Sequence, residues 1–299
     1  MKILITGANG FLGYYLSAKL LQKGFDIIAT GKVGCRLPFI SKKGFEYVSM
    51  DFTNPFAVHD VFSKYKPEII VHAGAMTNVD KCELNQWEAF HNNVEGTLTL
   101  LLNAAEHKSS FIFISTDFIF EGDKGSYREE DPVAAVNFYG RTKSEAEDAI
   151  KEYEYKWAIV RTSLVYGHPF SEKGNILTVV KEKLEMGEKY NVVDDQIRSP
   201  TYVEDLATGI VAIIETSASG IFHLAGSDVM TPYEMACKTA DYLQLDKSLI
   251  KKVTAADFSQ IALRPLNTSL IIEKAMSQLD YKPLSFEVGL KLTFPFQKS

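Results

Sequence analysis

A tyrosine and a lysine at helical spacing form the first pair in this 299-residue sequence that could carry out acid–base chemistry. Tyr139 and Lys143 lie four residues apart in a segment of helical periodicity, so one helix face presents both side chains. The phenol of a free tyrosine has a pKa of about 10, and a neighbouring ammonium favours its phenolate form. The same spacing is also common on helix surfaces with no catalytic role. The pair therefore indicates an active site only if a further polar group lies beside it.

A hydroxyl pair at the end of a predicted strand is such a partner. Ser115, Thr116 and Asp117 follow the apolar run at 111–114, and the carboxyl edge of an open α/β sheet is where ligands bind. There Thr116 would offer its hydroxyl to a substrate carbonyl beside Tyr139. The alternative is that the pair only caps a helix or closes a turn.

Three glycines near the N-terminus predict a dinucleotide site. Gly7, Gly10 and Gly13 follow a predicted strand and open a predicted helix, with the spacing G-x-x-G-x-x-G. Glycine allows a tight turn that a pyrophosphate can approach, and the free N–H groups of the helix attract that anion. A plain strand–helix turn is the alternative, which the flanking elements disfavour.

The stretch after the second predicted strand indicates which dinucleotide. Residues 29–36 contain no carboxylate to hold a ribose 2′-hydroxyl, whereas Lys32 and Arg36 could pair with a 2′-phosphate. Both could instead be solvated loop charges. Asp51 ends the next strand facing the adenine edge, and the small residues at 73–75 let a cofactor lie against the backbone. NADP is therefore favoured, with NAD possible.

These groups need a scaffold, and the apolar pattern predicts one. Helical segments fall around 12–23, 56–65, 86–107 and 139–154. They alternate with six apolar runs that read as buried parallel strands: Ile3–Ile5, Ile27–Ala29, Tyr47–Met50, Ile69–Ala73, Phe111–Ser115 and Ala158–Arg161. We predict an α/β fold with a doubly wound parallel (Rossmann) sheet. Residues 1–165 would form the NAD(P)-binding domain, and residues 166–299 a smaller substrate-binding region that partly returns to the sheet.

Composition excludes several classes of protein. Apolar residues make up 46% and charged residues 23% of the chain, and the net charge of −6 comes without any basic run, so neither nucleic acid nor membrane is an expected partner. The three cysteines have no metal-ligand or disulfide spacing, and we predict no metal. The sequence shows neither a signal peptide nor a long apolar span, which favours a cytoplasmic protein.

The motifs and their order resemble the extended short-chain dehydrogenase/reductase family and, within it, the dTDP-4-dehydrorhamnose reductases. The resemblance covers nearly the whole chain. Besides the glycine loop, it rests on these segments: Val71–Ala75, Asn92–Thr97, Phe113–Gly122, Tyr139–Lys143, Val160–Gly167, Asp195–Thr201, Asp205–Ala207 and Arg264–Ser269.

The resemblance implies a role for each matching residue. Thr116, Tyr139 and Lys143 would be catalytic: Tyr139 protonates the oxygen as hydride arrives, and Lys143 binds the ribose and holds the acidity of the tyrosine in range. The expected cofactor contacts are Gly7, Asn9, Gly10, Phe11, Leu12, Gly13, Lys32, Arg36, Asp51, Phe52, Ala73, Gly74, Ala75, Asn93, Tyr139 and Lys143. The expected substrate contacts are Thr77, Thr116, Phe118, Asn175, Arg198 and Arg264. Either arginine could instead form an interdomain salt bridge.

Departures from the family pattern narrow the choice of reaction that this chain could catalyse. Related dehydratases carry an acid–base residue where this chain has Phe118, which disfavours dehydration. Tyr14 replaces a glutamate linked to a metal-bridged dimer, and Leu164 replaces a tryptophan near the sugar. The favoured function is NADPH-dependent reduction of the 4-keto group of a nucleotide-activated deoxysugar, with a homodimer possible. The alternatives are an NAD-dependent epimerase, or a non-catalytic regulatory subunit like that of methionine adenosyltransferase.

Overall fold

A parallel sheet of seven strands forms the centre of the computed structural model, which describes residues 1–170, 174–257 and 260–295. Every neighbouring pair runs parallel, and the strands lie in the order β3 (Phe45–Ser49), β2 (Asp26–Gly31), β1 (Lys2–Thr6), β4 (Ile69–His72), β5 (Ser110–Thr116), β6 (Trp157–Thr162) and β10 (Gly220–His223). The chain thus winds outward in both directions from β1, so a crevice opens at the carboxyl ends of β1 and β4. The predicted doubly wound fold and all six predicted strands are confirmed.

The strands are β1 (Lys2–Thr6), β2 (Asp26–Gly31), β3 (Phe45–Ser49), β4 (Ile69–His72), β5 (Ser110–Thr116), β6 (Trp157–Thr162), β7 (Val165–Tyr166), β8 (Tyr190–Val193), β9 (Thr201–Tyr202), β10 (Gly220–His223) and β11 (Ile250–Val253). The α-helices are α1 (Phe11–Gln22), α2 (Pro55–Tyr65), α3 (Val79–Leu84), α4 (Gln86–Phe90), α5 (Gly96–Glu106), α6 (Phe138–Lys151), α7 (Ile176–Glu185), α8 (Val203–Thr216), α9 (Pro232–Leu243), α10 (Glu273–Leu279) and α11 (Phe286–Thr293).

Helices cover both faces of the sheet, which is why its strands are apolar without alternation. In β1, Ile3 and Ile5 pack with α1 and α8, whereas Leu4 between them packs with α2, α5 and α6. All three side chains are completely buried. Successive residues of a strand point to opposite faces, so a strand covered on both sides needs apolar residues throughout.

The predicted helix over 86–107 is interrupted. Between α4 and α5, residues His91–Glu95 form a π-helical turn, a wider turn that is frequently found at functional sites. Hydrophobic periodicity does not reveal such a turn, because one inserted residue shifts the pattern only locally.

The later part of the chain contributes to the main sheet and also builds its own layer. The edge strand β10 pairs with β6, so the sheet includes residues beyond 165. The short pairs β7–β9 and β8–β11 lie apart from it with α7, α9 and α11. The division at residue 165 stays a prediction. Across the described residues, no helix combines the length and apolarity needed to span a bilayer.

Candidate active site

A cavity of about 870 Å³ opens at the carboxyl edge of the sheet, where the chain changes winding direction. Its wall includes most of the predicted site residues: Gly7, Asn9, Gly10, Phe11, Leu12, Lys32, Phe52, Ala73, Gly74, Ala75, Thr77, Thr116, Phe118, Tyr139, Lys143, Arg198 and Arg264. Five others lie behind or beside the wall: Gly13, Arg36, Asp51, Asn93 and Asn175. The sequence motifs therefore converge on one place, although not every member faces the cavity.

The glycine loop brings the backbone of β1 against that of β4. Gly7 has φ +67°, and a Cβ on it would lie 2.8 Å from the carbonyl oxygen of Ala73. A Cβ on Gly13 would lie 2.5 Å from the carbonyl oxygens of Gly7 and Ala8. Gly13 therefore lets α1 pack against the loop and does not itself line the cavity. The first turn of α1 has no side-chain cap, which leaves its N–H groups available to an anion.

Asn9 connects the glycine loop to the loop that follows β2. Its side-chain amide donates to Gly34 O at 3.1 Å and to the Tyr47 hydroxyl at 2.8 Å, and its oxygen accepts from Arg36 N at 2.9 Å. The Tyr47 hydroxyl in turn donates to Val33 O at 2.5 Å. The loop with the predicted 2′-phosphate ligands is thus fixed, and sequence reasoning missed Tyr47, which lies in β3 and carries no motif.

The charges near this loop are arranged differently from the prediction. The Lys32 ammonium donates to the Asn92 amide oxygen at 3.0 Å and lies 3.3 Å from the Asp51 carboxylate. Asp51 also accepts from Thr53, at 3.0 Å from its N–H and 2.8 Å from its hydroxyl. Burial opposes the ionised form of Asp51, but these donors lower the pKa of its carboxyl below the ordinary value. Asp51 therefore faces Thr53 and Lys32, while the neighbouring Phe52 lines the cavity. The Arg36 side chain is exposed.

The helix α6 positions Tyr139 by packing directly on the turn after β5. The side chain of Asn137 caps α6 by accepting from Gly140 N at 2.9 Å. A Cβ on Gly140 would lie 2.1 Å from Phe118 O, so only glycine permits this approach. The contact places Tyr139 beside Thr116, and Lys143 follows one turn later. The three side chains are almost completely buried, with exposures of 9% for Tyr139, 7% for Thr116 and 2% for Lys143.

Burial governs the protonation of this pair. It raises the pKa of the Tyr139 phenol well above its usual range, and the hydrogen bond with Thr116 opposes that rise only in part. It lowers the pKa of Lys143 to about 7, against the opposing charge of Glu147. We expected the lysine to bring the pKa of Tyr139 down toward neutrality. That direction is wrong for the protein alone, because loss of solvation is the larger effect.

Asp117 is the centre of a buried polar cluster behind Thr116. It accepts hydrogen bonds from the Thr116 hydroxyl at 3.1 Å, the Ser163 hydroxyl at 2.8 Å and the Thr268 hydroxyl. Burial raises the pKa of Asp117, and the nearby guanidinium of Arg198 opposes the rise. The cluster joins β5, the end of β6 and a loop near the C-terminus. Ser163 and Thr268 were missed, since nothing local in the sequence indicates contacts over such separations.

Arg198 is held by the protein itself. Its four terminal N–H groups are directed at Ile197 O, Leu266 O, Gln196 Oε1 and Pro265 O. Only Nε is left, and it lies 3.9 Å from Asp117. The guanidinium also covers the Phe118 ring at 5.2 Å. The predicted bidentate grip on a substrate diphosphate would need N–H groups that already donate to other residues in the later part of the chain.

Two predicted contacts are supports located behind the wall. Asn93, in the π-helical turn, accepts from Met76 N at 2.8 Å and donates to Met76 O and the Thr142 hydroxyl, both at 3.0 Å. It thereby joins the loop after β4 to α6, between Tyr139 and Lys143. Asn175 caps α7 and donates to Gly167 O at 2.7 Å.

Comparisons with known proteins agree with this geometry. The family model described as "RmlD substrate binding domain" matches residues 1–295. The dTDP-4-dehydrorhamnose reductase of Aggregatibacter actinomycetemcomitans is 31% identical, over 97% of each chain. Methionine adenosyltransferase 2 subunit beta of Pongo abelii is 32% identical, over 97% of this chain and 86% of the relative.

A solved structure extends the likeness to three dimensions. The dTDP-4-dehydrorhamnose reductase of Bacillus anthracis, crystallised with NADP, superposes with a TM-score of 0.86 at 30% identity, over 98% of each chain. Its sheet and helices therefore match those described above along nearly their full length. With a family model covering almost the whole sequence, and relatives above 30% identity over nearly all of it, this chain belongs to the RmlD substrate binding domain family.

Proposed function

We propose that this protein is an NADPH-dependent reductase of the 4-keto group of a nucleotide-activated deoxysugar, with dTDP-4-dehydrorhamnose as the first candidate substrate. One observation supports this most directly. Thr116, Tyr139 and Lys143 meet in the wall of one cavity, beside a glycine loop shaped for a dinucleotide. The similarity to dTDP-4-dehydrorhamnose reductases supports the substrate class.

The cavity fits a dinucleotide cofactor. Gly7 and Gly74, which line the cavity, let its wall pack closely: a Cβ on Gly7 would lie 2.8 Å from Ala73 O, and one on Gly74 would lie 2.6 Å from the Phe52 ring. The open N-terminus of α1 is suited to the pyrophosphate, and Lys32 stands at the end of β2, where a 2′-phosphate is recognised. When bound, NADPH supplies the hydride for the reduction.

The side chains supply the proton and hold the carbonyl. A phenol of ordinary pKa is already protonated at neutral pH, and burial raises the pKa of Tyr139 further, so Tyr139 is in the form that a general acid requires. Thr116 lies next to it, and its hydroxyl, turned from Asp117 toward the substrate, would donate together with that of Tyr139 to one carbonyl oxygen. As that oxygen gains negative charge, Tyr139 donates its proton to it, and Lys143 stabilises the resulting phenolate by its charge.

A second candidate role is that of a cofactor-binding regulatory subunit. The 32% identity to methionine adenosyltransferase 2 subunit beta is the observation in its favour. The intact Thr116, Tyr139 and Lys143 set favours the reductase. Phe118, at the position next to Asp117, has no titratable group, which continues to disfavour dehydration.

The first experiment follows oxidation of NADPH by purified protein with dTDP-4-dehydrorhamnose and other 4-keto-6-deoxy sugar nucleotides. Turnover that is lost in Tyr139→Phe supports the reductase. Tight NADPH binding without turnover of any keto-sugar, together with co-purification of a methionine adenosyltransferase, would favour the regulatory role. Release of retained NAD on denaturation would favour an epimerase.

A further inference from the structure

Residues 260–267, which we call the strap, contribute Arg264 to the wall of the cavity. The strap lies in the later part of the chain, but Asp80 in α3 holds it. The Asp80 carboxylate accepts from Arg264 Nη2 at 2.8 Å, from Arg264 Nη1 at 2.5 Å and from Ala262 N at 3.1 Å. A bidentate pair of this kind fixes the plane of the guanidinium as well as its position.

Further contacts attach the strap to the nucleotide-binding half. Asn137, the cap of the catalytic helix α6, donates from its amide to Leu263 O at 2.9 Å. Asn267 N donates to Gly122 O at 2.9 Å, and a Cβ on Gly122 would lie 2.5 Å from Pro265 Cβ. The strap backbone is therefore fixed at several points, whereas the Arg264 side chain is oriented by Asp80 and by one bond to Ala262 O.

Arg264 has binding capacity left. Three of its five N–H groups are used, two on Asp80 and one on Ala262 O. The Nε–H and the second Nη2–H have no acceptor within the described ranges of the chain. The side chain lines the cavity and keeps 16% of its surface exposed. Two unused donors of one arginine suit a phosphate oxygen, and the diphosphate of a sugar nucleotide provides such oxygens.

We infer that Asp80 is a positioning residue for substrate: it clasps the strap and aims the free N–H groups of Arg264 at the diphosphate of the sugar nucleotide. This inference rests on the proposed function. Asp80 itself does not line the cavity, so its effect passes through Arg264. The pair is neutral overall, so its contribution is orientation and hydrogen bonding more than net charge. The conservative variant is Asp80→Asn, which keeps the shape but loses the charge-assisted fork.

The test compares steady-state kinetics of wild type and Asp80→Asn with the 4-keto sugar nucleotide as varied substrate. We expect KM for the sugar nucleotide to rise about tenfold or more, because hydrogen bonds that involve charged groups are lost. We expect kcat to stay within about twofold, and the Kd for NADPH to be unchanged. The matched control is Asp241→Asn, which breaks an exposed pair with Lys247 and should alter none of these values.

Three results would overturn the inference. An unchanged KM would show that Asp80 is dispensable, and a lower KM would show that it competes with the substrate for Arg264. Weaker NADPH binding in parallel would indicate a general structural role. If wild type turns over no keto-sugar, the proposed function fails, and calorimetric binding of dTDP still tests the clasp. In that case equal dTDP affinity of wild type and Asp80→Asn, or no binding by either, contradicts it.

Discussion

The buried environment of the Tyr139 phenol favours its protonated form. With 9% of its surface exposed, this side chain loses the solvation that a phenolate would need. The protein alone therefore holds it protonated, ready to act as an acid. Lys143 shows the opposite shift for the same reason, since burial disfavours its ammonium form. A nearby positive charge would lower the raised pKa of Tyr139, and a nearby negative charge would raise the lowered pKa of Lys143. The pair is therefore suited to a reaction in which negative charge develops at the tyrosine.

Tyr139→Phe should reduce kcat for keto-sugar reduction by about 10²–10⁴, the usual contribution of a positioned general acid. The Kd for NADPH should change little, because the ring remains. Tyr153→Phe is a matched control, since Tyr153 lies just beyond the C-terminal end of α6, donates to Ser109 O and does not line the cavity. Steady-state assays and NADPH titrations measure both quantities. A variant that keeps more than a tenth of the activity would contradict the acid role.

Lys143 should make stability depend on pH. Its pKa is about 7 in the folded protein, against an ordinary value of 10.5. Below pH 7 both folded and unfolded chains bind the proton, and the folded chain carries the cost of a buried ammonium. Between these two pKa values the unfolded chain binds more protons, so the free energy of unfolding rises with pH.

Lys143→Met should remove that dependence. The difference in unfolding free energy, wild type minus variant, should increase by about 2 kcal/mol between pH 7 and pH 9. Urea denaturation at several pH values measures it, and subtraction cancels the groups that titrate in both proteins. Parallel curves for the two proteins would mean that Lys143 keeps an ordinary pKa when folded.

Sequence spacing was sufficient for the residues that form local motifs. Tyr139 and Lys143 share a helix, Thr116 ends a strand, and the glycines flank one turn, so short-range rules identify them. It was insufficient for Asp80, Ser163 and Thr268. Their partners are tens to nearly two hundred residues away, and polar residues at such distances carry no periodic signal. The direction of the Tyr139 shift was also missed, since burial is a property of the folded chain.

Secondary-structure elements were predicted well where an apolar pattern defines them. The four predicted helices and six strands are present, but the π-helical turn at His91–Glu95 was not predicted. The seventh strand, β10, is only four residues long and follows the irregular part of the chain, so its pattern was too short to place it in the sheet. Among the connecting segments, the loop after β2 matters most for the choice of cofactor, because it carries Lys32 and Arg36, the predicted ligands of a 2′-phosphate.

Tyr47→Phe should weaken binding of NADPH selectively. The hydroxyl of Tyr47 accepts from Asn9 and donates to Val33 O, and without it the loop after β2 loses two of the bonds that fix it. Loss of about 1 kcal/mol corresponds to a Kd for NADPH about fivefold higher. The Kd for NADH should stay within about twofold, because NADH has no 2′-phosphate for this loop to recognise.

Fluorescence titration with both cofactors measures this preference without any sugar substrate. Lys32→Met should give the largest loss of NADPH affinity in the series, because it removes a positive charge from the loop. Tyr190→Phe in β8 is the control for removal of a tyrosine hydroxyl elsewhere. Equal losses for NADPH and NADH in Tyr47→Phe would mean that the hydroxyl supports the whole cofactor site and does not set the choice of cofactor.

At the scale of the whole molecule, a buried ion pair connects the central sheet to α6. Arg161 in β6 donates from Nε and Nη2 to the Glu147 carboxylate of α6, the latter at 2.7 Å, and neither side chain is more than 1% exposed. Arg161 Nη1 also donates to Glu129 O at 3.0 Å, and the Glu129 carboxylate accepts from His223 N in β10 at 3.0 Å. The network therefore connects α6, β6 and the edge strand β10, which the later part of the chain contributes.

Breaking this pair should destabilise the whole fold. Arg161→Met leaves the Glu147 carboxylate buried without its partner, which should lower the free energy of unfolding by about 3–5 kcal/mol. The double variant Glu147→Leu/Arg161→Met removes both charges and should recover much of that loss, because neither desolvated charge remains. Lys247→Met, which breaks the exposed pair with Asp241, should cost no more than about 1 kcal/mol. Chemical denaturation of wild type, Arg161→Met, Glu147→Leu and the double variant gives the coupling energy, and Lys247→Met is the surface control. If Arg161→Met costs as little as the surface control, or if the double variant is no more stable than Arg161→Met, then Glu147 and Arg161 do not act as a pair, and the attachment of α6 to the sheet does not depend on them.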